Sequence, residues 1–202
     1  LEGRSIFNLY GPLKRGLDVI LALVGLAIFA IMLPFLAVIM TLDNPGPLFY
    51  VQERVGRGGR LFKIMKLRSM IPDAEAQVGP QWAQQNDPRV TKIGRILRRT
   101  RLDEVPQLLN VLHGEMSMIG PRPERPFFVD QLTQQIPFYR TRLAVKPGVT
   151  GWAQVKYRYG SSREDALIKL QYDLYYIRHQ SLTLDLLILL RTAGKMLALQ
   201  GT

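Results

Sequence analysis

Two adjacent carboxylates, Asp103 and Glu104, are the residues of this sequence best suited to chemistry. They follow the arginine-rich run "RRTR" and precede Pro106 and an apolar stretch. Neighbouring like charges raise each other's pKa and cost energy unless a cation lies close. The candidates for that cation are the arginines, a metal ion and the positive end of a helix. We therefore expect a cationic setting around this acid pair.

A helix is predicted to begin at the acid pair. Pro106 is tolerated only within the first turn of a helix, the apolar residues from Val105 to Leu112 keep helical spacing, and Gly114 is a natural stop. The positive end of such a helix favours the ionised forms of Asp103 and Glu104. The plainer alternative is that Asp103 only caps the helix.

A second candidate residue is Arg122, which stands between Pro121 and Pro123. Two prolines fix two backbone φ angles and present the guanidinium on a stiff segment. Arginine is well suited to binding phosphate through two parallel hydrogen bonds. The alternative is a solvated surface arginine in a proline-rich loop.

Composition and charge narrow the class of protein. The 202 residues carry a formal net charge of +11, which favours anionic partners: phosphate-bearing substrates, an anionic membrane surface or nucleic acid. The absence of cysteine excludes a disulfide framework and a thiolate metal site. His113 and His179 lie too far apart in the sequence to have the spacing of zinc ligands. No motif that reads nucleic acid is evident, so we expect no nucleic-acid partner.

Residues 19–42 contain no charged side chain and are long enough to span a bilayer. Pro34 lies inside this run, where a proline kinks or breaks a helix. Basic residues flank the run on both sides, and the positive-inside rule places both flanks in the cytoplasm. They are Arg4, Lys14 and Arg15 before it and Arg54, Arg57, Arg60, Lys63, Lys66 and Arg68 after it.

A re-entrant helix that enters the membrane, bends at Pro34 and returns satisfies both flanks. A kinked helix that spans the membrane and a buried core helix remain the alternatives for this run.

The rest of the chain predicts an α+β, mostly helical fold. Residues 45–70 have the pattern of a small β-hairpin around the turn Gly56–Gly59, which no helix follows and which is therefore not a phosphate loop. The C-terminal part predicts two helices, the first opened by a capping box of Ser162 and Asp165. The last helix carries charges among its leucines, which favours packing on the domain or lying in the membrane interface as an amphipathic helix.

Six ordered motifs resemble the bacterial monotopic phosphoglycosyl transferases, and the exopolysaccharide-assembly branch in particular. The resemblance runs from about Lys14 to Leu199. The motifs are "KRGLD", "GPLFYVQERVG", "FKIMKLRSM", "DPRVTKIGRILRRTRLDEVPQLLNVLHGEMSMIGPRPE", "VKPGVTGWAQV" and "DLYYIRHQSLTLDLLILL".

The resemblance implies a transfer of sugar-1-phosphate from a UDP-sugar to polyprenyl (undecaprenyl) phosphate, the first membrane step of surface polysaccharide assembly. It implies Mg²⁺ as cofactor, release of UMP and a covalent aspartyl-phosphosugar intermediate. Asp103 would be the nucleophile and Glu104 the main metal ligand, with Asp103 beside the metal. Arg122, Arg98, Lys66 and Arg68 would bind the substrate phosphates.

The same resemblance implies an arrangement at the cytoplasmic face of the bacterial inner membrane. Residues 1–47 would form the N-terminal segment with a re-entrant membrane helix broken at Pro34, and residues 48–202 a membrane-associated catalytic domain with interfacial amphipathic helices. Many family members have Ser-Pro at the break, where this chain has Leu33-Pro34. Anionic membrane lipids are expected as partners, and a homodimer is left open. The first residue is Leu1 and not Met, as expected of a fragment or a trimmed chain.

Two rival functions remain open at this point. One is a Mg²⁺-dependent direct transfer, in which the acid pair only holds the metal and the lipid phosphate attacks without a covalent intermediate. The other is a non-enzymatic basic membrane anchor that recruits anionic lipid or nucleic acid. Ping-pong kinetics separate covalent from direct transfer, and UMP release by the purified protein excludes the anchor.

Overall fold

The computed structural model describes residues 9–72, 74, 79, 81, 87–157, 160 and 162–198. The described helices are α1 (Tyr10–Asp43), α2 (Lys92–Thr100), α3 (Leu108–His113), α4 (Pro126–Gln135), α5 (Trp152–Lys156), α6 (Arg163–Arg178) and α7 (Leu182–Leu197). Short 3₁₀ helices cover Arg57–Gly59, Leu102–Gln107 and Tyr139–Ala144. The strands are β1 (Phe49–Val55), β2 (Leu61–Leu67), β3 (Ser117–Ile119) and β4 (Gly148–Thr150).

The predicted mostly helical fold and its small hairpin are confirmed. Strands β1 and β2 pair in antiparallel register, with Phe49 opposite Leu67 and Val55 opposite Leu61. The hairpin turns where Gly58 and Gly59 adopt φ of 67° and 83°, a left-handed conformation that glycine adopts at little cost. Alternate residues of β2 are buried and pack in the core beneath the hairpin.

A second, parallel sheet was not predicted. Strand β3 pairs with β4, with Ser117 opposite Gly148 and Ile119 opposite Thr150. Each strand has three residues, too few to show an alternating pattern in the sequence. The sheet matters to the site because the chain leaves β3 directly into the segment that carries Arg122.

Polar contacts attach both ends of α1 to the rest of the domain. Near its N-terminal end, the Arg15 guanidinium donates to the carbonyls of Val111 and Leu112 at 2.6 and 2.8 Å, and Asp18 accepts hydrogen bonds from Ser117 Oγ and Met118 N at 3.1 and 3.0 Å. At the other end, Asp43 accepts from the backbone N–H of Ile93 at 3.0 Å.

An apolar stripe connects these two ends of α1. Its residues recur every three or four positions, so they share one face of the helix, and they pack into two core clusters with β2, α2 and α3. The stripe consists of Ala22, Leu26, Phe29, Leu33, Leu36 and Met40. The opposite face exposes large apolar side chains, and α1 is the helix, among the described residues, long and apolar enough to cross a membrane.

The predicted break at Pro34 does not interrupt α1, which runs helically through this residue to Asp43. A proline removes one backbone hydrogen bond and crowds the preceding turn, but a helix can bend there without ending. A break in the helix is therefore not confirmed, and the bend and the re-entrant path stay predictions.

A helical segment begins at the acid pair, as predicted, but its first part is a 3₁₀ helix and not an α-helix. Asp103 and Glu104 lie in the 3₁₀ helix Leu102–Gln107, which we call the acid-pair helix, and the α-helix begins only at Leu108. Arg101 has left-handed φ and ψ of 57° and 18°, which ends α2 and reverses the chain just before the acid pair. The predicted stop is confirmed, because Gly114 caps α3 with φ of 82°.

Helix α2 lies very close to the backbone of Ser69, two residues after the end of β2. A Cβ atom at Gly94 would lie 2.0 Å from the backbone oxygen of Ser69, so only glycine fits there. The predicted C-terminal helices are confirmed as α6 and α7, and α6 opens with the predicted capping box of Ser162 and Asp165.

Candidate active site

Glu104 is the centre of a buried ion cluster. Its Oε1 atom lies 2.9 Å from Lys66 Nζ and 2.5 Å from Arg122 Nη2, and its Oε2 atom lies 3.7 Å from Arg101 Nη1. The three cations come from β2, from the segment after β3 and from the turn before the acid-pair helix. A second hydrogen bond from Arg122 Nη1 to Glu104 Oε2, at 3.3 Å, makes that contact bidentate.

Opposite charges in this cluster favour the ionised form of Glu104 and the protonated form of Arg122. Burial acts to raise the pKa of Glu104, but Arg122 and Lys66 outweigh burial and hold that pKa well below its usual range. Glu104 in turn raises the pKa of Arg122. Burial lowers the pKa of Lys66, an effect that the Glu104 carboxylate opposes. Glu104 is therefore an anion already occupied by protein cations.

Asp103 differs from Glu104 in its partners and in the direction of its pKa shift, although it is similarly buried. It is 8% exposed, and among the described residues its carboxylate has no hydrogen bond or ion pair. Burial, followed by the nearby Glu104 charge, raises the pKa of Asp103 to about 6, against the opposing effect of Lys66 and Arg98. Burial is the largest influence on this pKa, and the favourable effect of the helix end stays a prediction.

The consequence is a free carboxylate beside uncompensated positive charge. Asp103 is ionised at neutral pH and is not occupied by a protein donor, so it can act as a nucleophile, a base or a metal ligand. Lys66, Arg101 and Arg122 together exceed the charge of Glu104, and the Arg122 side chain is 40% exposed. Such a site can receive an anionic group and hold it against Asp103.

The structure brings most of the predicted site residues together. Lys66 and Arg122 contact Glu104 directly, and Arg98 lies near enough to Asp103 to lower its pKa while its Nε donates to Ser69 Oγ at 2.9 Å. Arg68 is not brought to the acid pair. Its buried guanidinium donates to the backbone carbonyls of Asn44 and Pro45, just after α1, so its phosphate contact stays a prediction and its observed bonds are structural.

Arg101 belongs to the arginine run that was a candidate for the cation, but it was not among the predicted phosphate-binding residues. A signal existed, because Arg101 precedes Glu104 by one helical turn, the spacing at which oppositely charged side chains meet. The left-handed backbone of Arg101 carried no signal. A glycine would adopt that conformation more easily, but it would not offer a guanidinium.

The acid pair can hold a divalent cation only with help from other ligands. The described residues contain no group of three or more histidine, cysteine or acidic side chains that could bind a metal. Mg²⁺ commonly takes only one or two carboxylates, with water and substrate phosphates completing its shell. The free carboxylate of Asp103 fits that chemistry, whereas Glu104 would have to exchange a contact with Lys66, Arg101 or Arg122 for the metal.

Known proteins of one family are similar in sequence to this chain. The family described as bacterial sugar transferase matches residues 9–199. A UDP-N-acetylgalactosamine-undecaprenyl-phosphate N-acetylgalactosaminephosphotransferase of Aeromonas hydrophila is 46% identical over 94% of this chain and 44% of its own length.

Two further relatives are similar to this chain over most of its length. A UDP-glucose:undecaprenyl-phosphate glucose-1-phosphate transferase of Escherichia coli K12 is 43% identical over 91% of this chain and 40% of its own length. The exopolysaccharide production protein PSS of Rhizobium leguminosarum bv. phaseoli is 39% identical over 89% of this chain and 92% of its own length. The chain thus spans less than half of the first two relatives and nearly all of the third.

Proposed function

The chain belongs to the bacterial sugar transferase family, and we propose that it transfers a sugar-1-phosphate from a UDP-sugar to undecaprenyl phosphate. The relatives' names support a transfer of this kind to the same lipid phosphate. Those names specify different sugars, N-acetylgalactosamine and glucose, so the proposal extends to the UDP-sugar class and not to one sugar. Screening purified protein for UMP release against a panel of UDP-sugars tests the activity and identifies the sugar.

The observation that carries this proposal is the free carboxylate of Asp103 beside the cations around Glu104. A carboxylate that attacks a phosphoanhydride must approach negatively charged oxygens. Lys66, Arg101 and Arg122 neutralise that charge in the ground state and in the transition state. Glu104 contacts all three cations and holds them in place. Asp103 therefore stays free to react.

The reaction then proceeds in two displacements. An oxygen of Asp103 attacks the phosphorus that bears the sugar, the bond from that phosphorus to the bridging oxygen breaks, and UMP leaves with the electron pair. The product on the enzyme is an acyl phosphate that carries the sugar. An oxygen of undecaprenyl phosphate attacks the same phosphorus, the bond to Asp103 breaks, and the carboxylate is regenerated.

Bound Mg²⁺ would be held by Asp103 and Glu104 and would neutralise charge on the phosphate oxygens. Glu104→Gln separates this role from the role of Glu104 in fixing the cations. If metal affinity is its main contribution, raised Mg²⁺ partly restores the activity of the variant. If Glu104 chiefly positions Lys66 and Arg122, extra Mg²⁺ changes nothing, and isothermal titration with Mg²⁺ shows unchanged affinity.

Mass spectrometry tests the covalent step. Wild-type protein is quenched after incubation with UDP-sugar and no lipid acceptor, and we expect a sugar-phosphate adduct on the peptide that contains Asp103. Asp103→Asn should give no adduct. Turnover without an adduct in the wild type, with kinetics that are not ping-pong, would instead support direct transfer from UDP-sugar to the lipid phosphate.

We also propose that α1 enters and leaves the membrane by the cytoplasmic face. The contacts at both ends of α1 and along its apolar stripe support this, because one domain on one side of a bilayer cannot reach both ends of a straight spanning helix. Single cysteines at Ser5 and Pro47 of this cysteine-free chain test it by labelling in intact cells. Labelling from opposite faces would overturn the re-entrant path, and Pro34→Ala should favour a straight span.

A further inference from the structure

The segment that carries Arg122 is held almost entirely through its carbonyl groups. Pro121 and Pro123 have no N–H to donate, so the backbone on both sides of Arg122 can be fixed only by donors from elsewhere. Four successive carbonyls each accept such a hydrogen bond. The pairs are Gly148 N to Pro121 O at 2.9 Å, Arg142 Nη2 to Arg122 O at 2.9 Å, Arg54 Nη1 to Pro123 O at 3.1 Å and Val55 N to Glu124 O at 2.9 Å.

The donor to the carbonyl of Arg122 is itself rigidly held. Arg142 is 7% exposed and lies in the 3₁₀ helix Tyr139–Ala144. Its Nε and Nη2 atoms lie 3.1 and 2.8 Å from Oδ2 of Asp173 on α6, and its Nη1 donates to the Tyr139 hydroxyl at 2.7 Å. Asp173 is 1% exposed, so the pair is almost completely removed from water.

Stability alone is a weak reason for burying this ion pair. Desolvation of two charges can cancel their attraction, and well-packed apolar side chains often serve a core equally well. The remaining hydrogen bond of the Arg142 guanidinium ends on the backbone of Arg122, the residue whose side chain binds Glu104. A planar guanidinium can reach Asp173, Tyr139 and that carbonyl at once, which an apolar side chain cannot do.

We propose that Arg142 and Asp173 are positioning residues that aim Arg122 at Glu104 and at the substrate phosphate, an inference that rests on the proposed transferase function. The prolines restrict the backbone of the segment, so a fixed carbonyl at residue 122 fixes the direction in which the Arg122 side chain leaves it. The side chain is 40% exposed, so the fixed carbonyl adds to the restraint that its bidentate contact with Glu104 supplies. Loss of the support leaves the guanidinium present but misplaced.

Kinetics of UMP release test the route through Arg122. We expect Asp173→Asn and Arg142→Lys each to lower kcat/KM for the UDP-sugar by about tenfold. In an Arg122→Lys background the same changes should lower it less than about twofold, because the group they position is already altered. An equal fold-loss in both backgrounds would mean that Arg142 and Asp173 do not act through Arg122.

A matched control separates positioning from general damage. Asp185→Asn also removes a buried carboxylate that pairs with a cation, Lys14, but Asp185 makes no hydrogen bond to the Pro121–Glu124 segment among the described residues. We expect this variant to lose thermal stability while kcat/KM per folded molecule stays within about twofold of wild type. A tenfold loss in the control as well would reduce the proposed role to ordinary stability.

Hydrogen exchange provides a readout that needs no activity. The amides of Val55 and Gly148 donate to carbonyls of the segment, so they report its looseness. We expect their exchange to speed up at least about tenfold in Asp173→Asn and not in Asp185→Asn. If Asp173→Asn does not fold, Arg142→Lys answers the same question.

The two proposals can therefore fail separately. Wild-type protein that releases no UMP from any UDP-sugar refutes the transferase function, while the exchange experiment still tests the support of Arg122. Unchanged exchange at Val55 and Gly148 in a folded variant refutes the positioning role, whatever the activity.

Discussion

Two buried acidic clusters in this molecule are built on opposite principles. Asp185, which is fully buried, accepts hydrogen bonds from Lys14 at 2.8 Å, Tyr10 at 3.0 Å and Tyr176 at 2.8 Å. One cation balances one anion, and neutral hydroxyls complete the shell. The cluster joins α1, α6 and α7, and all its polar capacity serves the joining of helices.

The cluster around Glu104 leaves its charges unbalanced. Lys66, Arg101 and Arg122 surround one carboxylate, and the second carboxylate, Asp103, has no partner among the described residues. Both sites desolvate ionised groups, but only this one retains positive charge for a group that is not part of the protein. The difference shows how a buried ion cluster can be recognised as a site: by the charge it leaves uncompensated, and not by the number of its ion pairs.

The largest difference between the two clusters is expected when the aspartate of each, Asp103 or Asp185, is replaced by asparagine. Asp103→Asn is expected to lower turnover at least about 1,000-fold, because a neutral amide is a very poor nucleophile. Its thermal stability should stay or rise, since burial disfavours the charge it removes. Asp185→Asn should do the reverse, losing about 3 kcal/mol of unfolding free energy with turnover retained. Thermal unfolding in detergent and UMP release measure both, and substantial turnover in Asp103→Asn would contradict the comparison.

The Glu104 cluster should also depend on the shape of its cations. Arg122→Lys keeps the charge but loses the bidentate contact, so kcat/KM is expected to fall at least about tenfold. Arg95→Lys on the exposed face of α2 is the matched control and should change kcat/KM less than about twofold. Equal kinetics in the two variants would make Arg122 a surface residue.

Acidification should inactivate the unbalanced cluster before it unfolds the protein. The pKa of Asp103 is raised to about 6, so its carboxylate takes up a proton as the pH falls through 6 and not near 4. We expect kcat/KM to be level above about pH 7, to be halved near pH 6 and to approach a tenfold fall per pH unit below about pH 5. Because the folded state binds this proton more tightly than the unfolded state, Asp103 itself favours folding as the pH falls through that range. A rate profile that stays flat down to about pH 4.5 would refute the raised pKa.

Substitution of Arg101 is expected to have the smallest effect on kcat/KM, and it distinguishes the role of the guanidinium from that of the left-handed backbone. Arg101→Gly removes a guanidinium from Glu104 and should lower kcat/KM about threefold. Because glycine adopts the left-handed backbone at little cost, this variant should be about 1 kcal/mol more stable than Arg101→Ala. Arg101→Ala removes the same guanidinium without relieving the backbone. If chemical unfolding shows the glycine variant to be no more stable than the alanine variant, the left-handed conformation stores no strain.

Local patterns in the sequence predicted the local parts of the fold. The hairpin follows from two β-rich runs around a glycine turn, and the start of α6 follows from Ser162 and Asp165, because each of these signals acts within a few residues. The stop at Gly114 has the same origin. The type of helix at the acid pair is the one local feature among these that the sequence did not predict. A left-handed turn at Arg101 precedes this 3₁₀ helix, and arginine is not a residue that indicates such a turn.

Long-range contacts explain what the sequence did not predict about the site. Lys66 and Arg122 were predicted near the acid pair, but from the family resemblance and not from any pattern that joins residues so far apart in sequence. The parallel pairing of β3 with β4 and the bond from Arg142 to the carbonyl of Arg122 have no periodic signature. Arg68 shows the converse, because a basic residue beside the motif serves the loop after α1 instead.

The contacts of α1 can form only in a fixed order during synthesis, because their partners lie at increasing distances along the sequence. Asp43 finds its partner Ile93 after 50 residues, Arg15 finds Val111 after 96, and Lys14 finds Asp185 only after 171. At a synthesis rate of roughly 5–20 residues per second, the last of these distances corresponds to about 9–34 s. Helix α1 is therefore attached to the domain from its C-terminal end backwards, and α7, which is made later, holds its N-terminal end.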